Sequence, residues 1–192
     1  MANLQIVAMI GSQRPDNATA KALAVTVDEL RRAGGIEVDV VDPADLDLRT
    51  PGTQDPELVK ILQEKVTAAT GVILSTPEYH GSYSSVIKLL IEHLGYPSML
   101  SGKPVALLGV AAGAIGAIKS LEHLRSVCSH IGAIVLPGSV SVARVHKVFD
   151  AEGNCVDPAV EKRLRGLARN LSDYIHQNIC PRVALEQMVR ED

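Results

Sequence analysis

Residues 4–24, LQIVAMIGSQRPDNATAKALA, contain the change of pattern that decides the fold. The apolar run Leu4–Ile10 ends at Gly11, as expected for a short strand that is buried on both faces. From Asn17 onward, apolar residues recur at helical spacing. The connection between strand and helix is rich in hydroxyl, amide and guanidinium groups, more than a turn requires. A strand that leads directly into a helix is the opening unit of an α/β fold.

Strands and helices continue to alternate along the rest of the chain. Apolar runs predict strands at 36–41, 71–75, 104–110 and 133–136, and helical spacing predicts helices at 55–70, 82–94, 115–131 and 157–177. We therefore expect a flavodoxin-like α/β fold, a doubly wound sandwich around a five-stranded parallel sheet with strand order 2-1-3-4-5. Pro77 is expected to end the third strand. We predict that residues 1–180 form a single domain and that residues 181–192 form a loosely held tail.

Composition limits the classes of partner. The chain has 192 residues, of which 46% are hydrophobic and only 3% aromatic, so its core must be aliphatic. Its net charge is −3, and it lacks the basic run that nucleic acid or an acidic lipid surface requires. Its apolar stretches are all shorter than the roughly 18–20 residues of a membrane span. We expect neither nucleic acid nor a membrane as a partner.

Two further features concern the cellular compartment. Residues 1–11 lack the charged segment and the cleavage pattern of a signal peptide. The three cysteines, Cys128, Cys155 and Cys180, are an odd number without paired spacing, which is typical of reduced thiols. The sequence therefore predicts a cytoplasmic protein.

The connection at 11–19 has the position and the chemistry of an anion site. It lies between the end of a strand and the start of a helix, where free backbone N–H groups and the helix dipole attract negative charge. Ser12, Asn17 and Thr19 add side-chain donors, and Arg14 offers a forked cation to a phosphate. The alternative is a capped helix with a solvated arginine, because serine, aspartate and asparagine are common capping residues.

Two common nucleotide motifs are absent from this connection. A P-loop requires GxxxxGK followed by serine or threonine, and a dinucleotide fingerprint requires GxGxxG, whereas this stretch contains Gly11 alone. A phosphate bound here would contact hydroxyls and amides rather than a glycine-rich backbone. This pattern favours a mononucleotide.

Two motifs resemble those of a known family. Residues 11–19, GSQRPDNAT, resemble the GSxRxxSx[NT] phosphate loop of the NADPH-dependent FMN reductase family, and residues 77–82, PEYHGS, resemble its PEYNGS flavin-ring loop. Each motif follows a predicted strand, and the resemblance extends over nearly the whole chain. It implies FMN as cofactor, NADPH or NADH as co-substrate, and a small oxidised molecule as electron acceptor.

The resemblance also implies the residues that contact FMN. Those around the phosphate are Ser12, Arg14, Asn17, Ala18 and Thr19. Those along the isoalloxazine ring are Pro77, Glu78, Tyr79, His80, Gly81 and Ser82, with Ala111, Ala112 and Gly113 on its other side. The sequence departs from the family at His80, where asparagine is common, at Ser84-Ser85, where proline and glycine are common, and at Asn17, where serine is usual.

Both later loops also have ordinary structural interpretations. Residues 77–82 suit a flavin ring because Gly81 permits close backbone approach and Tyr79 offers a flat apolar surface. The same stretch could be a plain strand-to-helix connection in which Ser82 caps the next helix. The small residues at 109–118 favour either a planar ligand or tight packing of a helix on the sheet.

No side chain is predicted to act as a catalytic acid, base or nucleophile. Glu78 could act as a base, but a loop or inter-subunit carboxylate is the simpler interpretation, and hydride transfer by a flavin needs no such group. His123, Cys128 and His130 lie on one predicted helix without the spacing of metal ligands, so no metal site is predicted.

These observations predict an FMN-dependent NAD(P)H oxidoreductase, in which nicotinamide reduces FMN and an acceptor then takes the electrons. The acceptors that the family implies are free flavin, quinones, azo compounds and metal oxyanions. The rival hypothesis is a flavodoxin-type electron carrier without turnover of its own. Such carriers are usually strongly acidic and hold the ring between aromatic residues, whereas this chain has a net charge of −3, no tryptophan and one phenylalanine.

The apolar surface of the predicted helix at 82–94 indicates that the chain forms oligomers. Its large aliphatic residues cover an arc of about 200°, wider than the apolar stripe of roughly 100° that a surface helix normally buries. We expect its flanks, Leu89 and Ile91, to be partly exposed in a single chain and covered by a second copy. The prediction is a homodimer or homotetramer, and the resemblance likewise implies pairing near this helix.

Overall fold

The structure, a computed structural model, describes residues 4–46, 48–53 and 55–191. Its strands are β1 (Leu4–Ile10), β2 (Ile36–Val41), β3 (Gly71–Tyr79), β4 (Ser82–Tyr83), β5 (Pro104–Val110), β6 (Ile134–Val135) and β7 (Val140–Val142). Its helices are α1 (Ala18–Arg32), α2 (Pro56–Ala68), α3 (Ser85–Glu92), α4 (Ile118–His130), α5 (Pro158–Tyr174) and α6 (Cys180–Glu191). A π-helical turn, Ile175–Ile179, joins α5 to α6, and short 3₁₀ turns lie at Pro43–Asp45 and Val145–Lys147.

The main strands form a parallel sheet in the order β2-β1-β3-β5-β6, which confirms the flavodoxin-like fold class and the predicted arrangement. The sheet has seven strands instead of the predicted five. One addition is β4, which pairs antiparallel with the end of β3. The other is β7, which lies beyond the predicted fifth strand at 133–136, in a stretch where no strand was predicted. Strands β6 and β7 pair with opposite ends of β5, and Pro137-Gly138 lies between them.

Strand β3 continues through Pro77 to Tyr79, so the prediction that the proline would end the strand is wrong. Pairing of β3 with β1 ends at Ser75, whereas pairing with β5 continues to Pro77, opposite Val110. A proline is tolerated where a strand has lost its neighbour on one side. The extension carries residues 76–79 beyond the end of β1, at the carboxyl edge of the sheet.

Aliphatic side chains cover the sheet on both faces, as the composition requires. One cluster packs α1 and α5 against the sheet and includes Leu23, Leu30 and Leu164. The other packs α2, α3 and α4 against the opposite face and includes Leu62 and Leu90. Within the described ranges, no helix is long and apolar enough to cross a membrane.

Short polar side chains begin four of the helices. Asn17, Asp55, Ser84 and Asp157 each accept a hydrogen bond from a backbone N–H in the first turn of the following helix. Such a cap contributes about 1 kcal/mol. Because Ser84 caps α3 rather than Ser82, this helix begins three residues later than predicted.

The wide apolar arc of α3 is covered within the chain itself. Ile91 is only 5% exposed and Leu90 and Leu94 are fully buried, in the cluster that α3 shares with α2 and α4. Leu89 is half-buried. The expectation that Ile91 would be partly exposed is therefore wrong, and a charge at this position would disrupt the core rather than an interface.

Residues 180–191 are helical, where the sequence pattern predicted a loosely held tail. The exposed side chains of α6 include Val183, Leu185, Met188 and Val189. Asp192 lies outside the described residues. The division into a domain of residues 1–180 and a terminal segment stays a prediction.

A network of ion pairs joins α1 to α5. Arg165 lies 2.8 Å from Asp28, 3.1 Å from Glu29 and 2.9 Å from Glu161, and Arg169 also pairs with Glu29. The hydrogen bond from Arg165 lowers the pKa of Asp28. Burial acts to raise the pKa of Glu29, but its hydrogen bonds to Arg169 and Arg165 outweigh burial, and its pKa is also lowered. Both carboxylates therefore stabilise the folded chain in their charged form.

The Arg165→Met variant is expected to lose stability at neutral pH but not in acid. In the folded chain, the pKa values of Asp28 and Glu29 lie below their ordinary values of 3.8 and 4.5. The ion pairs therefore stabilise the fold fully at a pH above the ordinary values, and this stabilisation is lost as the pH falls through the lowered values. Urea unfolding should show a loss of about 1 kcal/mol at neutral pH, and this loss should shrink as the pH falls below the ordinary values of 3.8 and 4.5. Lys162→Met, an exposed neighbour on α5, is the control. An equal loss in acid would assign the effect to packing instead of charge.

Candidate functional site

Three connections meet at the carboxyl edge of the sheet, where β1, β3 and β5 end side by side. They enclose a cleft of about 410 Å³. The predicted contact residues that line it are Ser12, Arg14, Asn17, Ala18, Thr19, Pro77, Glu78, Tyr79, Ala111 and Ala112. Pro15, Asp16, Val110 and Val145 line it in addition. His80, Gly81, Ser82 and Gly113 lie in the adjoining turn and loop.

The connection after β1 presents hydrogen-bond donors at the start of α1. Ser12 and Thr19 are buried although they are polar. The amides of Ala18 and Thr19, the first two of α1, donate to no other described residue. The Asn17 side chain is occupied locally, since its Oδ1 accepts from the third amide of α1 and its Nδ2 donates to a loop carbonyl, both at 2.8 Å. Asn17 therefore caps the helix, and the two amides and two hydroxyls remain for an anion.

Arg14 joins the first connection to the second. Its guanidinium carbon lies 5.1 Å from the centroid of the Tyr79 ring, within the range of a cation–π contact. Among the described residues, Arg14 has no carboxylate partner. Asp16, by contrast, is paired with Lys21 at 2.8 Å. The free cation of this connection is therefore Arg14, and it is held beside the cleft by the tyrosine ring.

Gly11 allows β1 and β3 to approach each other closely at the end of β1. A Cβ at this position would lie 2.3 Å from the carbonyl oxygen of Ser75. The Ser84 hydroxyl donates to the Gly11 carbonyl at 2.6 Å and caps α3 at the same time. Ser84 stands where the family commonly has proline, which could not supply this hydrogen bond. The ends of β1 and β3 and the start of α3 are thus fixed to one another.

Residues 78–83 form a β-hairpin rather than a plain connection. Strand β4, residues 82–83, pairs antiparallel with residues 78–79. The two turn residues, His80 and Gly81, have φ angles of 49° and 73°. Two-residue turns with positive φ at both positions match the twist of a hairpin, and asparagine and histidine enter this region more readily than most residues. Histidine therefore preserves the turn where the family commonly has asparagine.

Glu78 has a structural role at the base of this hairpin. Its Oε2 accepts a hydrogen bond of 3.0 Å from the backbone N–H of Ser120, in the first turn of α4. Ala117, which precedes α4, makes no side-chain cap. The carboxylate supplies that cap from another element, and its charge is favourable at the positive end of the helix dipole. This contact favours a structural carboxylate over a catalytic base.

The third connection contributes backbone and small side chains, and a later segment covers it. Val145 and Arg144 donate their backbone N–H groups to the carbonyls of Ala111 and Gly113, each at 3.0 Å. Val145 thereby reaches the cleft. Sequence reasoning missed it because residues 137–156 carry no periodic pattern and no motif.

Packing accounts for the two other glycines of this stretch. A Cβ at Gly109 would lie 2.7 Å from that of Ala117, and one at Gly116 would lie 2.4 Å from the Ser141 hydroxyl. Both glycines therefore allow α4 and its preceding loop to pack tightly. Ala111 and Ala112 line the cleft, whereas Gly109 and Gly116 serve packing.

The cysteines are not arranged for catalysis. Burial raises the pKa of Cys128 to about 12 and also raises the pKa of Cys155. Protonated thiols are poor nucleophiles. Within the ranges that the structure describes, no group of three or more histidine, cysteine, aspartate or glutamate side chains could hold a metal ion.

A doubly wound sheet, a donor-rich connection at the start of α1 and a hairpin facing small residues define a flavodoxin-like mononucleotide-binding protein. Comparison with known proteins gives the family. The model of the NADPH-dependent FMN reductase family matches residues 4–147. The chain belongs to this family, and it is an FMN-dependent NAD(P)H oxidoreductase. The rival hypothesis of an electron carrier is thereby set aside.

Three similar proteins illustrate the range of the family. The chain is 29% identical over 168 residues to a 2-hydroxy-1,4-benzoquinone reductase from Burkholderia sp., covering 84% of this chain and 91% of that protein. It is 33% identical over 141 residues to an FMN-dependent NADPH-azoreductase from Staphylococcus aureus, covering 69% and 73%. The solved structure of FerB, a flavoenzyme NAD(P)H:(acceptor) oxidoreductase from Paracoccus denitrificans, matches with a TM-score of 0.77 and 26% identity, covering 91% and 98%.

The residues of the cleft fit FMN. At one end, the unpaired amides and buried hydroxyls at the start of α1 suit a phosphate. At the other end, the hairpin backbone and two alanines suit a planar ring. The volume of about 410 Å³ lies within the range of roughly 300–1,000 Å³ of small-molecule sites. The cofactor is FMN, with NADPH or NADH as co-substrate.

Proposed function

We propose that FMN binds in this cleft with its phosphate against residues 12–19 and its ring between residues 77–82 and 111–113. One observation carries the proposal: three connections far apart in sequence converge on one cleft whose first connection offers two unpaired amides. FMN is favoured over FAD because the donor-rich connection suits a terminal phosphate.

Bound FMN supplies hydride transfer between nicotinamide and acceptor. The residues of the chain bind and orient the reactants. The first connection and Arg14 hold the phosphate, the hairpin backbone fixes the ring, and Ala111 and Val145 exclude water from one wall. Glu78 is engaged by the Ser120 amide and is not assigned a proton-transfer role. We assign no catalytic acid or base.

The acceptor is a small molecule, and we infer that it is a planar quinone or azo compound. Two relatives are named for quinone and azo substrates, which supports this class. The ring of Tyr79 is 40% exposed beside the cleft. An exposed aromatic ring favours stacking with a planar acceptor.

The FMN-loaded protein is expected to oxidise NADPH or NADH with a quinone as acceptor and without a second protein. Stopped-flow absorbance measures reduction of the bound FMN by nicotinamide, and steady-state assays with 2-hydroxy-1,4-benzoquinone and an azo dye compare acceptors. Free flavin as acceptor is the reference. The absence of FMN binding, or recovery of FAD after denaturation, would contradict the proposed site.

We propose that the chain forms a homodimer, or a homotetramer built from such dimers, through the side formed by α3 and α4. A cavity of about 630 Å³ lies between these helices and is lined in part by Ile91, Val127 and Ile131. Tyr96 also lines it and is 98% exposed. A two-fold arrangement would cover the same apolar groove and tyrosine on both copies. None of the three connections at the carboxyl edge of the sheet lines this larger cavity, so we assign it to assembly.

The Tyr96→Asp variant is expected to dissociate the oligomer and to weaken FMN retention, because it places a charge in the proposed interface. Its stability to urea should change little, since the Tyr96 side chain is exposed in the single chain. Light scattering measures mass, and gel filtration with flavin absorbance measures retention. Ile61→Asp, an exposed position on α2, is the control. A wild-type protein that is monomeric and still retains FMN would contradict the proposal.

We also infer a cytoplasmic location. All three cysteines are described by the structure and are unpaired, which supports a reducing compartment.

A further inference from the structure

The hairpin of residues 78–83, which includes the end of β3, is fixed to α4 at two points. Glu78 accepts a hydrogen bond of 3.0 Å from the Ser120 amide, and the Ser82 hydroxyl lies 3.1 Å from Nδ1 of His123. Ser120 and His123 are three residues apart, so they share the face of α4 that meets the hairpin. The first contact is accounted for as a helix cap. The second joins a hydroxyl and an imidazole, two groups that can each donate or accept a hydrogen bond.

The contact between Ser82 and His123 depends on protonation. A neutral imidazole with its proton on Nε2 leaves Nδ1 as an acceptor, so the Ser82 hydroxyl donates to it. When both ring nitrogens carry protons, Nδ1–H donates to the Ser82 oxygen, and the hydroxyl proton turns towards another acceptor. Histidine is the side chain that changes charge between pH 5 and 8. The direction in which Ser82 donates therefore follows the protonation of Nδ1, which changes when a neutral imidazole with its proton on Nε2 becomes charged.

We propose that His123 is a positioning residue for the flavin-ring hairpin: through Ser82 it fixes the hairpin on α4 and sets the direction in which the Ser82 hydroxyl donates. This inference rests on the proposed function, in which residues 77–82 lie along the ring. With His123 neutral and Nδ1 unprotonated, the Ser82 hydroxyl donates to Nδ1 and not to the ring. With His123 charged, the hydroxyl is free to donate to the polar edge of the ring. FMN affinity is therefore higher when His123 is charged.

Other titratable or charged groups lie on the two elements that carry this contact. Those on α4 are Lys119, Glu122 and Arg125, and those on the hairpin are Glu78, His80 and Tyr83. Strands β5 and β6, which also pack against α4, carry no titratable side chain. Of these groups, His80 is the other imidazole, and it occupies the hairpin turn. The measurements are therefore made in a His80→Asn background, which preserves the turn.

Flavin fluorescence titrations at pH 5.5 and pH 8 test the proposal. The parent protein should bind FMN more tightly at pH 5.5, by roughly two- to tenfold, the range that one hydrogen bond supplies. His123→Ala and Ser82→Ala should each remove this difference, and the double variant should add nothing. His123→Asn places an amide where Nδ1 was and should also lack the pH difference, because an amide does not change charge. His176→Ala is the control variant. Comparing the FMN affinity of each variant with that of the parent at the same pH removes the effect of titration of the FMN phosphate.

Amide hydrogen exchange of residues 78–83 in the FMN-free protein tests the contact without the cofactor. His123→Ala and Ser82→Ala should each speed exchange by roughly two- to tenfold, and the double variant no further. A wild-type protein that fails to bind FMN would overturn the proposed function, while this measurement still reports on the hairpin. Unchanged exchange would overturn the positioning role. Faster exchange with an unchanged pH dependence of FMN affinity would also overturn it, since the contact would then be structural only.

Discussion

The Gly11→Ala variant is expected to lose about 3 kcal/mol of folding free energy and most of its affinity for FMN. The added Cβ would lie 2.3 Å from the carbonyl oxygen of Ser75 and 3.2 Å from Cβ of Ile87. The first of these atoms belongs to the backbone of β3 and cannot rotate away, so β1 must separate from β3 at their last pair. That separation moves residues 12–19 away from residues 76–79, and the cleft between them changes shape.

Urea unfolding measures the first effect of Gly11→Ala, and FMN titration measures the second. Gly166→Ala is the matched control for stability: it lies within α5 with no atom within 4 Å of the added Cβ, and should gain about 0.5–1 kcal/mol. Gly166 does not line the cleft, so the same variant is also the control for FMN binding. Wild-type stability in Gly11→Ala would contradict the close approach of β1 and β3.

The strand order and the position of the cleft were predictable because they depend on local patterns and on a general rule of parallel sheets. The apolar run Leu4–Ile10, the polar connection after it and the helical spacing from Asn17 are each visible within a few residues. Parallel strands joined by helices place such connections at one edge of the sheet. Three connections predicted from separate parts of the chain accordingly line one cleft.

The course of β3 was not predictable, because it depends on a neighbouring strand. Whether Pro77 ends the strand is decided by where β1 stops, and β1 stops two residues earlier in the register. The hairpin at residues 78–83 was not predictable either. Its turn at His80-Gly81 needs positive φ at both residues, and histidine is a weak signal for that conformation compared with asparagine.

Burial of Ile91 and the contact of Ser82 with His123 were out of reach of sequence reasoning for a further reason. The arc of apolar residues on α3 shows how much of its surface must be buried. It does not show that α2 and α4 of the same chain bury it. Ser82 and His123 are 41 residues apart and belong to no common motif. Both facts arise from tertiary packing.

The Arg14→Ala variant is expected to raise the dissociation constant for FMN on the order of 10- to 150-fold. This corresponds to the roughly 1.5–3 kcal/mol that a hydrogen bond involving a charged group contributes. Arg14 lines the cleft, has no carboxylate partner among the described residues, and is restrained by the Tyr79 ring at 5.1 Å. A restrained guanidinium loses less entropy on binding and presents paired donors to a phosphate. Quenching of flavin fluorescence on titration with protein measures the constant.

Riboflavin, which lacks the phosphate, separates two ways in which Arg14 could act. If the guanidinium contacts the phosphate, Arg14→Ala loses affinity for FMN but not for riboflavin, and Arg14→Lys, which keeps the charge without the fork, falls between. If Arg14 acts only by stacking on Tyr79, both ligands lose affinity equally. Arg182→Ala, on α6, is the control. Unchanged FMN affinity in both Arg14→Ala and Thr19→Ala would leave residues 12–19 as a capped helix with a solvated arginine, because Asn17 provides that cap whether or not a phosphate binds.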